Sequence, residues 1–232
     1  MNTAIILAAG KGSRMNAGMN KLYVNIKGKP ILAHTLDVFF ACNHIYEIIL
    51  VIGDGEEEMC RENVLDKIES SKPVKLVIGG KERRDSVYNG LKNVCKDADV
   101  ILIHDGARPF ITEETIEESI KQALLYTAVT IGIPAKDTIK EIDKEGFVEN
   151  TPNRSNLWLT QTPQTFMRDV IVQAYESSNG DRAAVTDDAT LVERMGIKVK
   201  MIRGSYDNIK ITTPEDIALA EAILESGRIK DV

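Results

Sequence analysis

A continuous apolar run, Thr3-Ala4-Ile5-Ile6-Leu7-Ala8, leads directly into the glycine-rich, basic segment Ala9-Gly10-Lys11-Gly12-Ser13-Arg14-Met15. A short apolar run of this kind suits a strand buried on both faces, as in a parallel sheet. The loop after it then sits at the strand's carboxyl end, where open α/β sheets bind ligands. Glycines there let backbone N–H groups approach an anion closely. Lys11, Arg14 and Lys21 add three positive charges to the same neighbourhood. The simplest ligand for such a place is a polyphosphate. Loop geometry leaves a second reading open, an ordinary βα turn with solvated basic residues.

Two familiar phosphate loops do not match. The dinucleotide fingerprint needs a third glycine three residues after the second, and Met15 stands there. The P-loop places Gly-Lys-Ser/Thr after four intervening residues, a spacing that Gly10-Lys11-Gly12-Ser13 lacks.

Strands are predicted at residues 4–8, 48–52, 75–78, 100–103, 128–133 and 198–202, with helices between them. Pro30 suits a first helical position, with Ile31, Leu32, Thr35, Leu36, Phe39 and Phe40 forming one apolar stripe. Thr112 can cap a helix that carries Glu113 and Glu114 in its first turn and turns Ile116, Ile120, Ala123 and Leu124 inward. Thr213-Pro214-Glu215-Asp216 opens the last helix similarly, with Ile217, Ala220, Ile223 and Leu224 on its buried side. A helix is also expected to start at Asp85, and another at Thr186-Asp187-Asp188. Alternating elements imply an α/β fold with a mostly parallel, doubly wound sheet. The length of 232 residues suits a single domain.

One segment breaks the alternation. Residues 135–151 are polar and charged, with two β-like pieces at 138–142 and 147–148 and a turn at Glu145-Gly146. This reads as a protruding β-hairpin arm. An isolated hairpin is marginal in water, so cover from another subunit is the sharper reading and a flexible surface loop the plainer one.

Composition excludes several classes. The charge balance, 29 basic against 35 acidic residues or −6 overall, argues against a nucleic-acid surface. A basic pocket in an acidic protein instead focuses an anion onto one place. No apolar run of about 18 residues predicts a transmembrane helix, and the N-terminal residues lack a signal-peptide pattern. A cytoplasmic location without membrane association is expected. Cys42, Cys60 and Cys95 are odd in number and widely spaced, as reduced cysteines in a cytosolic protein would be. His34, His44 and His104 form no zinc-spaced pair with cysteine. His104 is given no role beyond that of a satisfied core histidine.

Several further motifs occur in order: His104-Asp105-Gly106-Ala107-Arg108-Pro109, Asn153-Arg154-x-x-Leu157-Trp158, Thr162-Pro163-Gln164-x-Phe166, Thr186-Asp187-Asp188, and Asp207-Asn208-Ile209-Lys210-x-Thr212-x-Pro214. Together with Ala8-Ala9-Gly10-x-Gly12-x-Arg14-Met15 and Lys21, the chain resembles the sugar-nucleotide pyrophosphorylase and cytidylyltransferase superfamily. Within it, the chain is most similar to the 2-C-methyl-D-erythritol 4-phosphate cytidylyltransferase family of non-mevalonate isoprenoid biosynthesis. The resemblance spans residues 3 to about 224 and implies a Rossmann-like nucleotidyltransferase fold.

The implied reaction joins CTP and the polyol phosphate into a CDP-alcohol and releases pyrophosphate. The attacking oxygen is already ionised, so no general base is required. The difficulty is electrostatic, an anion attacking a tetraanionic nucleotide, and catalysis rests on cations and positioning. By resemblance, Arg14 and Lys21 stabilise charge at the α-phosphate, and Arg154 and Lys210 hold the attacking phosphate. Ala8, Ala9, Gly10, Gly12, Gly80, Ser86, Asp105 and Ala107 would line the CTP site. Arg108, Thr138, Thr162, Arg154 and Lys210 would contact the polyol phosphate. Mg²⁺ or another divalent cation is the expected cofactor, because such ions bind one or two carboxylates plus phosphate oxygens. Asp105, just beyond the predicted strand 100–103, is the candidate ligand; a turn-forming Asp before Gly106 is the alternative.

The resemblance also implies a homodimer joined through the arm. One departure stands out: Met19-Asn20-Lys21-Leu22 replaces the common Pro-Lys-Gln run, which keeps the lysine but alters the chain before it. Two other functions share these features, a ribitol-5-phosphate cytidylyltransferase making CDP-ribitol and a non-catalytic nucleotide-binding module.

Overall fold

A computed structural model describes residues 1–10, 20–68, 72–178 and 185–227. Gly12 and Arg14 lie outside the described residues. The strands are β1 (Asn2–Leu7), β2 (Asn25–Ile26), β3 (Lys29–Pro30), β4 (Glu47–Ile52), β5 (Val74–Ile78), β6 (Val100–Asp105), β7 (Ala128–Pro134), β8 (Glu141–Ile142), β9 (Val148–Asn150), β10 (Trp158–Met167) and β11 (Lys200–Arg203). The helices are α1 (Ile31–Ala41), α2 (Glu57–Asn63), α3 (Arg83–Leu91), α4 (Glu113–Tyr126), α5 (Arg168–Ser177), α6 (Asp188–Arg194) and α7 (Pro214–Glu225).

Seven strands form one sheet in the order β11-β7-β10-β6-β1-β4-β5. Neighbours run parallel except β10, which is antiparallel to both β6 and β7. The six strands legible in the sequence are all present. β10 is an addition, and the sheet is therefore mixed at that position.

Alternate residues of each strand feed two apolar layers. Ala4 and Ile6 of β1 join Leu36, Phe39, Ile116, Ile120 and Ile223 on one face. Ile5 joins Val87, Ile171 and Leu191 on the other. Helices thus cover both faces, as doubly wound topology requires.

The caps form as the sequence demands. The Thr112 hydroxyl accepts from Thr115 N–H, and Thr213 and Asp216 close a reciprocal capping box at α7. Three local expectations are corrected. Pro30 precedes the first helical residue, because it pairs with Asn25 in the β2–β3 ribbon. Leu124 is 58% exposed; it falls one step round the helix from Ala123, beyond the buried stripe. α3 begins at Arg83, where Glu82 caps it and Asp85 returns the reciprocal bond at the third helical position.

From β1 the chain winds outward through β4 to β5, then returns to the other side of β1 with β6. Leu7 pairs with Asp105 at the carboxyl ends of β1 and β6. That is the topological switch point, where open sheets leave a crevice.

The arm is a separate two-stranded ribbon of β8 and β9. β8 keeps only the last two residues of the expected piece 138–142, and β9 starts one residue later than the expected piece 147–148 and runs on to Asn150. Asp143 closes the loop, its side chain accepting from the N–H groups of Glu145 and Phe147 at 3.0 and 2.8 Å. Gly146 has φ +91°, the left-handed conformation that glycine adopts freely.

Candidate active site

The crevice at the switch point is a cleft of about 1110 Å³. One wall is the start of the glycine loop, Ala9 and Gly10. A second is the Gly79-Gly80 turn after β5 with Ser86 of α3, and a third is Asp105, Ala107 and Lys210. Lys21 also lines it.

Packing dictates the Gly79-Gly80 turn. A Cβ on Gly79 would stand 2.4 Å from Ala9 Cβ, and one on Gly80 would stand 2.1 Å from Asp85 Cβ. The Ser86 hydroxyl accepts from Gly80 N–H at 3.0 Å and donates to the Glu82 carbonyl at 3.1 Å. Ser86 therefore shapes this turn. Gly10 differs: a Cβ there would meet no atom of the described residues within 4 Å.

Asp105 is the last residue of β6 rather than one beyond it, because its register with Leu7 extends the ladder to that point. Three cations surround its carboxylate: Lys210 Nζ at 2.8 Å, Arg83 Nε at 3.5 Å and Arg108 Nε at 3.8 Å. Burial alone would raise the Asp105 pKa; Arg83, Lys210 and Arg108 together hold it well below the usual carboxylate range. Asp105 is thus ionised at neutral pH.

Lys210 is delivered by the loop after β11. Asn208 Nδ2 donates to the Thr162 carbonyl at 3.1 Å. Arg108 Nη1 donates to the Asn208 carbonyl at 2.8 Å. Ile211 N–H bonds to the Ala107 carbonyl at 2.9 Å. Lys21 reaches the same loop, with Nζ donating to the Ile211 carbonyl at 2.6 Å. The two lysines therefore converge from opposite ends of the chain.

Arg83 was not among the residues singled out in the sequence. Its guanidinium grips the buried Asp188 through two parallel bonds of 3.0 and 2.8 Å. Burial would depress its pKa, but Asp188 and Asp105 outweigh burial and raise it. The available signal was a cation in the first turn of α3, a place the helix dipole disfavours unless a carboxylate elsewhere compensates.

Other candidates lie elsewhere. Ala8 is fully buried behind the cleft, and its carbonyl accepts from Asn20 Nδ2 at 2.8 Å. Thr162 is buried, and its hydroxyl lies 3.0 Å from Asp105 N–H, from which it accepts, and 3.1 Å from His104 Nδ1. It steadies Asp105 from behind. Arg154 and Thr138 are exposed at the base of the arm and do not line the cleft of their own chain. Arg154 donates to the Lys136 carbonyl at 2.6 Å.

Asp54, Glu56, Glu82 and Asp105 line the cleft, and one or two such carboxylates suit an octahedral ion that completes its coordination with phosphate oxygens and water. Among the described residues no cluster of three or more His, Cys, Asp or Glu could hold a metal by itself. Of the cleft's carboxylates, Asp105 is the one at the switch point, at the carboxyl end of β6.

His104 is completely buried, bridging Thr162 and the Arg108 carbonyl, the latter at 3.1 Å from Nε2. Burial lowers its pKa to about 4. Between about pH 4 and its unfolded value of about 6.5, the unfolded chain binds a proton that the folded chain refuses. Stability is therefore full above about pH 6.5 and declines as pH falls toward 4. Chemical denaturation across this window should show the decline, and His104→Gln should flatten it. An unchanged slope in the variant would assign the decline to other groups.

A family model for 2-C-methyl-D-erythritol 4-phosphate cytidylyltransferase matches residues 2–226. A curated relative of that name from Caldanaerobacter subterraneus subsp. tengcongensis is 50% identical over 222 residues, covering 96% of this chain and 98% of its own. Another of the same name from Clostridioides difficile is 47% identical over 232 residues, covering 100% and 97%. Among solved structures, 4-diphosphocytidyl-2C-methyl-D-erythritol synthase from Anaerococcus prevotii superposes with a TM-score of 0.87 at 38% identity, covering 97% and 96%. The Francisella tularensis 2-C-methyl-D-erythritol 4-phosphate cytidylyltransferase gives 0.79 at 29%, covering 96% and 99%.

Proposed function

The chain belongs to the 2-C-methyl-D-erythritol 4-phosphate cytidylyltransferase family and is a CTP-dependent cytidylyltransferase acting on that polyol phosphate; we propose that it does so in the switch-point cleft. The observation that carries this reading is the convergence of Lys21, Lys210 and Asp105 on one crevice lined by the Gly10 and Gly79-Gly80 turns. Of the three functions open to the sequence, family membership favours this one over CDP-ribitol synthesis and over a non-catalytic module.

The base and ribose lie against the Gly79-Gly80 turn, where the missing side chains bring backbone groups within reach. The triphosphate lies toward Gly10 and Lys21. An ionised phosphate oxygen of the polyol attacks the α-phosphorus. The new P–O bond forms as the bond to the bridging oxygen breaks, and pyrophosphate leaves with the electron pair. No proton is transferred, so the step needs no general base, and Lys21 and Lys210 line the cleft where charge must be met. Lys21 meets the charge that develops at the α-phosphate, and Arg14 shares this role. Lys210 and Arg108 face the acceptor phosphate. Asp105 would hold Mg²⁺ or another divalent cation, which supplies further positive charge to the phosphates when bound.

The active form is a cytoplasmic homodimer in which Thr138 and Arg154, carried by the arm, complete the acceptor site of the other subunit. Support comes from the exposed apolar side chains of the arm and from the exclusion of both residues from their own cleft. Free Cys42, Cys60 and Cys95 suit a reducing compartment. Among the described residues no helix is long and apolar enough to cross a membrane.

The direct test is pyrophosphate release from CTP with methylerythritol 4-phosphate and ribitol 5-phosphate, each with and without Mg²⁺. Release is expected with the first acceptor and the metal; release with ribitol phosphate alone would reverse the substrate assignment. Arg154→Ala and Lys210→Ala should raise KM for the polyol phosphate and lower its turnover while sparing CTP binding. Arg154→Lys should also be impaired, since an ammonium cannot reproduce a bidentate guanidinium–phosphate contact. Unchanged acceptor kinetics in both alanine variants would remove them from the site.

A further inference from the structure

We propose that Glu56 is a positioning residue for catalysis, acting through Asn20 to fix Lys21 beside the nucleotide phosphates. The proposal rests on the cleft assignment above.

Glu56 lines the cleft, an unexpected place for a carboxylate where a tetraanion must bind. Its oxygens, however, face inward onto three donors. Oε2 accepts from Gly53 N–H at 3.2 Å and from the Tyr23 hydroxyl at 3.3 Å. Asn20 Nδ2 spans the carboxylate, at 3.2 Å from Oε1 and 3.0 Å from Oε2. A Cβ on Gly53 would stand 2.8 Å from the Glu56 carboxyl carbon, so glycine there is what admits the carboxylate.

Asn20 is 6% exposed and every polar group of its side chain is engaged. An amide nitrogen has two hydrogens. One goes to the Ala8 carbonyl at 2.8 Å and the other to Glu56. The amide oxygen accepts from Leu22 N–H at 3.2 Å and caps the short 3₁₀ turn Lys21–Tyr23. Asn20 thereby clips the chain leaving β1 to the chain entering Lys21. Glu56 fixes that clip to the loop after β4. Lys21 is then held in a turn that Asn20 caps through Leu22 N–H, and at its ammonium by the Ile211 carbonyl. The position before the lysine is where this chain departs from the common Pro-Lys-Gln run, and a buried asparagine needs the acceptor that Glu56 supplies.

A residue that acts through Lys21 should lose its effect when Lys21 is gone. The experiment is a double-mutant cycle on the full chain: Glu56→Ala, Lys21→Ala and the pair, read as kcat and KM for CTP by pyrophosphate release, with folding checked by thermal melts. Glu56→Gln accompanies it as the conservative control, because its amide oxygen can still accept from Asn20, and Glu56→Asp, which withdraws the carboxylate by one methylene, replaces Glu56→Ala if that variant fails to fold. Coupled residues commonly interact by amounts worth about tenfold. Glu56→Ala, or Glu56→Asp in its place, is expected to lower kcat by about that factor with Lys21 present and by less than about twofold in the Lys21→Ala background, while Glu56→Gln keeps most of the kcat. An equal fall in both backgrounds, or an unchanged kcat in Glu56→Ala or its Asp replacement with Lys21 present, would overturn the proposal. Loss of pyrophosphate release in the unmutated protein would instead refute the cleft assignment.

Discussion

Lys21→Ala is expected to lower kcat by about 10²–10³ while leaving CTP affinity nearly unchanged, the loss typical of one well-placed donor to a developing oxyanion. The argument is one of differential charge. In the ground state CTP carries its charge along the whole triphosphate, and other groups of the cleft share it. In the transition state an incoming phosphate oxygen adds charge at the α-phosphorus, and Lys21 lines the same cleft as Ala9 and Gly10 and bonds the Ile211 carbonyl. A cation whose benefit is concentrated in that state changes kcat rather than binding. Stopped-assay kcat and calorimetric CTP binding on the same preparation separate the two effects. A normal kcat with a raised KM for CTP would reduce Lys21 to a ground-state contact.

How much of this site could be read from the chain depends on where each residue draws its meaning. Gly10, Lys21, Asp105 and Lys210 lie at strand ends or in short motifs, and the cleft joins all four. β10 was illegible because Trp158-Leu-Thr-Gln-Thr-Pro-Gln-Thr-Phe-Met has no apolar run and carries Pro163, which argues against a central strand. The structure accommodates both anomalies. The register shifts between Gln161 and Gln164, so the proline falls in a bulge. The buried polar side chains are hydrogen-bonded: Gln164 donates to Thr130 and Asp187 and accepts from the N–H groups of Asp188 and Ala189. Arg83 and Glu56 were illegible for a related reason. Each acquires its role from a partner distant in sequence, Asp188 in one case and Asn20 in the other. Such a pairing exists only once the sheet brings the loops together.

Deleting residues 140–148 should abolish dimerisation and polyol-phosphate turnover together while leaving CTP bound. The deleted segment holds β8, the loop and the start of β9, and it exposes Ile142, Phe147 and Val148 at 61%, 73% and 57%. Three large apolar side chains on a two-stranded ribbon cannot bury one another, and such a ribbon is marginal without cover. In the proposed homodimer a second copy would supply that cover by two-fold symmetry, each arm lying on the other body. The arm's base carries Thr138 and Arg154, which are exposed in the single chain, while Asp105 lines the crevice and Arg108 lies beside its carboxylate, with Nε at 3.8 Å. A composite site then needs both subunits for the acceptor but only one for the nucleotide, because none of the cleft-lining residues belongs to the deleted segment. Light scattering on the intact protein should give twice the chain mass and the deletion variant a single chain. Mixing inactive Arg108→Ala and Thr138→Ala variants should restore activity in heterodimers, where one of the two sites has both residues intact. A fully active monomer at assay concentration, or a mixture as inactive as its components despite subunit exchange, would show that each chain works alone.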